Sequence, residues 1–242
     1  MVKKKKIKKK PTVKVNIPLE ELLGAGCHFG HSVSKVNPRM QDYIFTSRKG
    51  IHIFDLVKTK EHLMEAGKFL AELVSKGGKI IFVGSKRQAS EAIKKTAQEI
   101  NMFYVSNRWV GGLLTNWSQI EKNLKKMVDL REELDKNEKE KSKFELNILK
   151  RELRHLEDLY GGIVGLKDLP QALFAVDVKR ERTAIAEAKQ LGIPVVAIVD
   201  TNGDPRDVDY VIPANDDAQG SIEYLLNKIA VMISKKQNGK EK

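Results

Sequence analysis

Four short runs that are almost wholly apolar set the terms on which this chain can fold. They are Lys79–Val83, Leu173–Val176, Val195–Val199 and Tyr210–Ile212. A strand without polar alternation has to be covered on both faces. Amphipathic segments at helical spacing follow three of them, at Gln88–Ile100, Glu181–Leu191 and Ser221–Lys235. Buried strands alternating with helices predict a mainly parallel sheet between two helical layers, an α/β three-layer domain. The upstream part reads differently. Pro18–Leu23 predicts a short helix stopped by Gly24 and Gly26, and Asn37-Pro38 a turn. Tyr43–Thr46 and Ile51–Phe54 predict a β-hairpin around Ser47–Gly50, with Asp55 capping a helix that reaches about Ser75.

One segment interrupts the alternation. Between Trp117 and Tyr160 there is no glycine or proline, and 22 of 44 residues are charged, eleven of each sign. Apolar residues recur at three-and-four spacing as Trp117, Ile120, Leu124, Met127 and Leu134, then Leu146, Leu149, Leu153, Leu156 and Tyr160, with Arg131 interposed. That pattern predicts an inserted antiparallel coiled-coil helical hairpin. The expected division is therefore a basic flexible arm at 1–16, an α/β domain formed by 17–116 and 161–234, the hairpin at 117–160, and a basic tail at 235–242.

The net charge of +12 is not spread evenly. Lys3, Lys4, Lys5, Lys6, Lys8, Lys9 and Lys10 stand in the first ten residues without an acid, and residues 235–242 add +3, which leaves +2 for 11–234. Lysine-rich ends bind polyanions without reading sequence, although such ends also solubilise. No apolar run has the length of a membrane span. The single cysteine, Cys27, cannot form an internal disulfide and suits a reducing compartment. A cytoplasmic protein with no membrane association and no homo-oligomer is the expectation.

Few motifs carry chemistry. Phe82-Val-Gly-Ser-Lys-Arg87 joins a strand to a helix but matches neither phosphate-loop nor dinucleotide fingerprint. It reads either as a tight turn capped by Ser85 or as a place for an RNA phosphate beside Lys86 and Arg87. Cys27-His28-Phe29-Gly30-His31 offers metal-ligating types without zinc spacing, so a glycine loop with backbone-bonded imidazoles is the alternative. Asn107–Asn116 contains Arg108 and Trp109, readable as an RNA contact or as the packed root of the hairpin. Asp200 follows one predicted strand and Asp216 and Asp217 the next, which predicts that the three converge on one sheet edge. Either a divalent cation, magnesium or, with His28 or His31, zinc, relieves their repulsion, or Asn215 or Asp216 caps the last helix and Asp200 bonds its own turn. With the body near neutrality, RNA would be held by local patches, best placed at Arg39, Arg48, Lys86, Arg87 and Arg108.

Taken together these segments resemble the bacterial small-subunit ribosomal protein S-two family. The resemblance rests on Ala25-Gly-Cys-His-Phe-Gly-His31, Asn37-Pro38, Gly50–Thr59, Phe82–Lys86, Asn107–Asn116, Ala188–Pro194, Asp200–Pro205 and Ile212–Asp217, in order from about residue 17 to 234. Val36 stands where the family has an aromatic residue, and Gln219-Gly220 where an arginine is common. The resemblance implies a flavodoxin-like α/β/α domain with a protruding helical hairpin. It also implies docking on small-subunit ribosomal RNA beside neighbouring ribosomal proteins, and a platform for the messenger-binding protein S-one. A non-catalytic, structural role in translation is thus expected, against the alternative of an α/β enzyme holding a nucleotide at the Gly84 turn.

Overall fold

A computed structural model describes residues 15–137 and 142–238, so Lys3–Lys10 and the last residues of the tail lie outside the described residues. In chain order the elements are α1 (Leu19–Gly24), β1 (Phe29–Ser32), β2 (Ile44–Arg48), β3 (Ile51–Phe54), α2 (Leu56–Ser75), β4 (Ile80–Val83), α3 (Arg87–Glu99) and β5 (Phe103–Val105). There follow α4 (Trp117–Asn137), α5 (Lys143–Tyr160), β6 (Ala172–Val176), α6 (Arg182–Gln190), β7 (Val195–Val199), β8 (Tyr210–Pro213) and α7 (Gln219–Asn238). Among the described residues no helix is long and apolar enough to cross a membrane.

Strands β4 to β8 form one parallel sheet in the order β5-β4-β6-β7-β8, the flavodoxin-like arrangement. Every residue of β4, β6 and β7 is buried. One face presents Phe82, Phe174, Ile198 and Ile212 to α2, α3 and α7; the other presents Ile81, Leu173, Ala197 and Val199 to α6 and the hairpin root. Each large side chain sealed this way stabilises the fold by about 1.5–3 kcal/mol. The two cores explain why the strands read as unbroken apolar runs. Asp55 caps α2 as expected, its carboxylate accepting the Val57 N–H.

Two strands were not legible beforehand. β5 is a three-residue edge strand, and β1 is polar and contains Gly30, so neither has a pattern of its own. Pairing creates them: β1 and β2 flank β3 in a small antiparallel sheet, order β1-β3-β2. The segment at Cys27–His31 is thus partly strand, not a loop throughout.

Between β5 and β6 the chain makes a two-helix hairpin. Ser142 opens α5 with a capping box, exchanging bonds with Glu145. Lys126 meets Glu152 at 2.5 Å, and Arg131, the polar interruption in the apolar series, pairs with Glu157 across the helices. The root is not separate from the body: Ile120 and Tyr160 are buried in the same core as Trp109 and Leu113. At the other end of the chain α7 continues past Lys235, so Lys235 and Lys236 stand in its last turn, and Lys236 meets Glu72 at 3.3 Å.

Candidate functional site

Parallel strands bring their following loops to one edge, and here those loops carry ionisable groups. β4 leads to Ser85 and Lys86, β6 to Asp177, β7 to Asp200, and β8 to Asn215, Asp216 and Asp217. In an open α/β sheet this edge is where ligands bind. The chain fills it with its own side chains. Glu181, 1% exposed, puts one carboxylate oxygen 2.7 Å from both the N–H and the hydroxyl of Ser85, and Arg180 donates to that hydroxyl at 3.0 Å. Ser85 is therefore tied to α6 and does not cap α3, whose N-cap is Lys86 without a side-chain bond. Burial pushes the Glu181 carboxyl up, while the two Ser85 bonds oppose that shift.

Lys86 does not reach outward. Its ammonium lies 2.8 Å from Asp216 and 3.3 Å from Asp177 and pairs with Asp217, and its side chain is only 13% exposed. Burial works against its charge, but the attraction of Asp216 and the bonds to Asp216 and Asp217 prevail and raise its pKa. Asp216 is pushed up to about 7 by burial and by the charges of Asp200 and Asp177, with Lys86 opposing. A cation to an RNA phosphate is thus a role this lysine cannot fill without leaving three carboxylates.

His31 closes the cluster from the small sheet. Its Nδ1 is 3.0 Å from Asp200 and its Nε2 is 3.3 Å from Asp217, so the imidazole bonds carboxylates and not backbone. The Asp200 hydrogen bond raises its pKa against the opposing effect of burial. Gly30 permits the approach, since a Cβ there would lie 2.6 Å from the Thr201 methyl; the neighbouring His31 N–H donates to the Thr201 hydroxyl at 2.9 Å. Asp200 also accepts from the Thr201 N–H, and Asn215 accepts from the N–H groups of Asp217 and Ala218 ahead of α7. Capping and turn bonds are therefore present, and a basic neighbour relieves the repulsion. The residues that could hold a divalent cation are His31, Asp200 and Asp217, whose ligand atoms lie within 4.8 Å of one another. One nitrogen with two carboxylates suits zinc better than magnesium. Asp216 turns instead to Lys86, and His28 lies with its ring 3.9 Å from that of Phe29.

The other cationic candidates are scattered. Arg39 is bound to Asp204 at 2.6 Å, while Arg48, Arg87 and Arg108 are exposed and make no ion pair with a described residue. Beside Arg108 the loop before α4 is built around a residue that sequence reasoning passed over, Glu187. Its carboxylate accepts from Trp109 Nε1 (3.0 Å), the N–H groups of Gly112 (2.8 Å), Leu114 (2.9 Å) and Thr115 (3.2 Å), and the Thr115 hydroxyl. Burial raises its pKa, but these donors outweigh that and hold it below the usual carboxylate range. Gly112 contributes by its φ of +87°, a left-handed backbone that lets its N–H join the donors to Glu187. The signal was legible in principle, because Glu187 interrupts the apolar face of α6 between Ala184 and Ala188. A second feature also went unread: the small sheet and its flank expose Phe29, Val33, Phe45 and Ile51, with Phe45 74% exposed.

Comparison with known proteins agrees with this architecture: residues 22–235 match the family model described as Ribosomal protein S2.

Proposed function

The chain belongs to the ribosomal protein S2 family, structural proteins of the small ribosomal subunit that serve translation, and on that premise we propose that it docks on ribosomal RNA and helps recruit protein S-one. The observation that carries the reading is how the carboxyl edge of the sheet is used. Glu181 occupies the donors of the Gly84 turn, and Lys86 sits among Asp177, Asp216 and Asp217, so the crevice of an α/β enzyme is sealed from within. Binding is left to the outside. Arg48, Arg87 and Arg108, exposed and without an ion pair among the described residues, offer guanidinium groups suited to phosphate. The exposed aromatics Phe29 and Phe45 suit a protein partner, since aromatic anchors dominate such contacts. We assign the S-one contact to that small-sheet surface.

The test is co-sedimentation with small subunits lacking this protein. Wild type should rebind in stoichiometric amount, and Arg87→Ala with Arg108→Ala should weaken rebinding with little change in melting temperature. Phe45→Ala should leave rebinding intact and reduce the S-one retained. Wild-type protein that stays in the supernatant would refute the docking reading.

A further inference from the structure

At the sheet edge opposite the acidic cluster, lysines gather without an ion pair among the described residues. A cavity of about 700 Å³ opens at the amino ends of β4, β5 and β6, between the turn after α2 and the loop before β6. Lys76, Lys79 and Lys167 line it, with Asp168 the acid among its lining residues. Through Gly165, Leu166 and Lys167 it runs into a groove of about 350 Å³ along α4, lined by Lys125 and Glu121. All four lysines are exposed, and none makes an ion pair with a described residue. The contrast with the carboxyl edge is direct, since Lys86, His31 and Arg39 there each hold a carboxylate. The C-terminus of α2 adds about half a negative charge beside Lys76, which one ammonium offsets. The floor of the trough is apolar, with Leu73, Phe103 and Leu166.

We propose that this trough is a second RNA-binding surface, in which Lys76, Lys79, Lys125 and Lys167 hold successive phosphates of one RNA strand. Four ammonium groups against two carboxylates give the charge complementarity a phosphodiester backbone requires. The apolar floor suits sugar and base faces, which an acidic peptide would not need. The inference rests on the RNA-docking reading above and adds a surface to it that none of Arg39, Arg48, Arg87 or Arg108 lines.

The experiment measures binding of the full chain to purified small-subunit ribosomal RNA over a range of KCl concentrations. A variant with Lys76, Lys79, Lys125 and Lys167 all changed to Gln is compared with one carrying Lys60→Gln, Lys68→Gln, Lys94→Gln and Lys95→Gln, an equal charge loss on α2 and α3. Each phosphate contact contributes about 0.7–0.9 to the log–log salt slope. The trough variant should lose about two to three units of slope and roughly tenfold or more in affinity, the control less than about one unit. Replacing the same four residues by Arg should keep the slope, which separates charge from any effect on folding. Equal losses in the two Gln variants would overturn the trough while leaving RNA docking standing. Wild type without RNA affinity would overturn both. A trough variant that keeps its RNA slope but loses affinity for poly-glutamate would overturn the proposal in favour of an acidic protein partner.

Discussion

Asp216 is a carboxylate the fold holds reluctantly, raised to about 7 by burial and by Asp200 and Asp177, against the pull of Lys86. His31, raised chiefly by its bond to Asp200, shares the cluster. Both groups bind protons more tightly folded than unfolded. Their stabilisation is therefore complete below the unfolded-state values and is lost as pH rises through the folded ones. His28, lowered by burial, pulls the opposite way, while Glu181, pushed up by burial, adds to the first two. We expect a higher melting temperature at about pH 5.5 than at about pH 8, and Asp216→Asn should flatten that difference. An unchanged pH slope in Asp216→Asn would place its origin elsewhere. Glu187 gives the sharper stability test. Glu187→Ala leaves the donors of Trp109, Gly112, Leu114 and Thr115 facing a void. The expected cost is about 3 kcal/mol, or roughly 6–12 °C of melting temperature for a chain of this size. Thermal melts followed at the tryptophan signal would measure it.

Among the elements, the hairpin is two things at once. Its outer part is held by Lys126–Glu152 and Arg131–Glu157 and by Met127, Leu130 and Leu134, all three buried on α4. Its root belongs to the main core through Ile120 and Tyr160. Where the chain is cut should therefore decide the outcome. Replacing 128–152 by a short linker should leave a folded α/β body that melts within a few degrees of wild type. Removing 117–160 strips two fully packed side chains from the second core, at about 1.5–3 kcal/mol each. That protein should melt distinctly lower, and equal melting of the two deletions would contradict the shared core.

Over the whole molecule, charge is sorted by place. The carboxyl edge gathers Asp177, Asp200, Asp216 and Asp217 around Lys86 and His31, whereas lysines without an ion pair among the described residues line the amino edge. Outside the described residues, Lys3–Lys10 supply seven further charges. We propose that this arm binds RNA phosphates without choosing sequence. Deleting residues 1–10 should lower the salt slope of subunit binding by about 0.7–0.9 for every phosphate released. An unchanged slope would make the arm a solubiliser.

Most of the α/β body was readable in advance because a strand buried on both faces cannot disguise itself. The run Val195–Val199 is both the expected and the observed β7, and α2 ends at Ser75 as expected. Period and capping are local properties, and the sequence carries them directly. β1 and β5 were not readable, because pairing and not composition makes a short polar or edge segment a strand. The motif residues were readable as candidates, but their roles were not. Lys86 sits in a turn that could serve a phosphate, and only the return of β6 and β8 to the same edge places Asp177, Asp216 and Asp217 around it. Likewise the loop at 109–115 is shaped by Glu187, more than seventy residues along the chain. Which segments are helices and buried strands follows from local hydrophobic period, a property carried residue by residue along the chain. Which charges face solvent and which are neutralised within follows from the folded sheet, because pairing depends on distances between residues far apart in the chain.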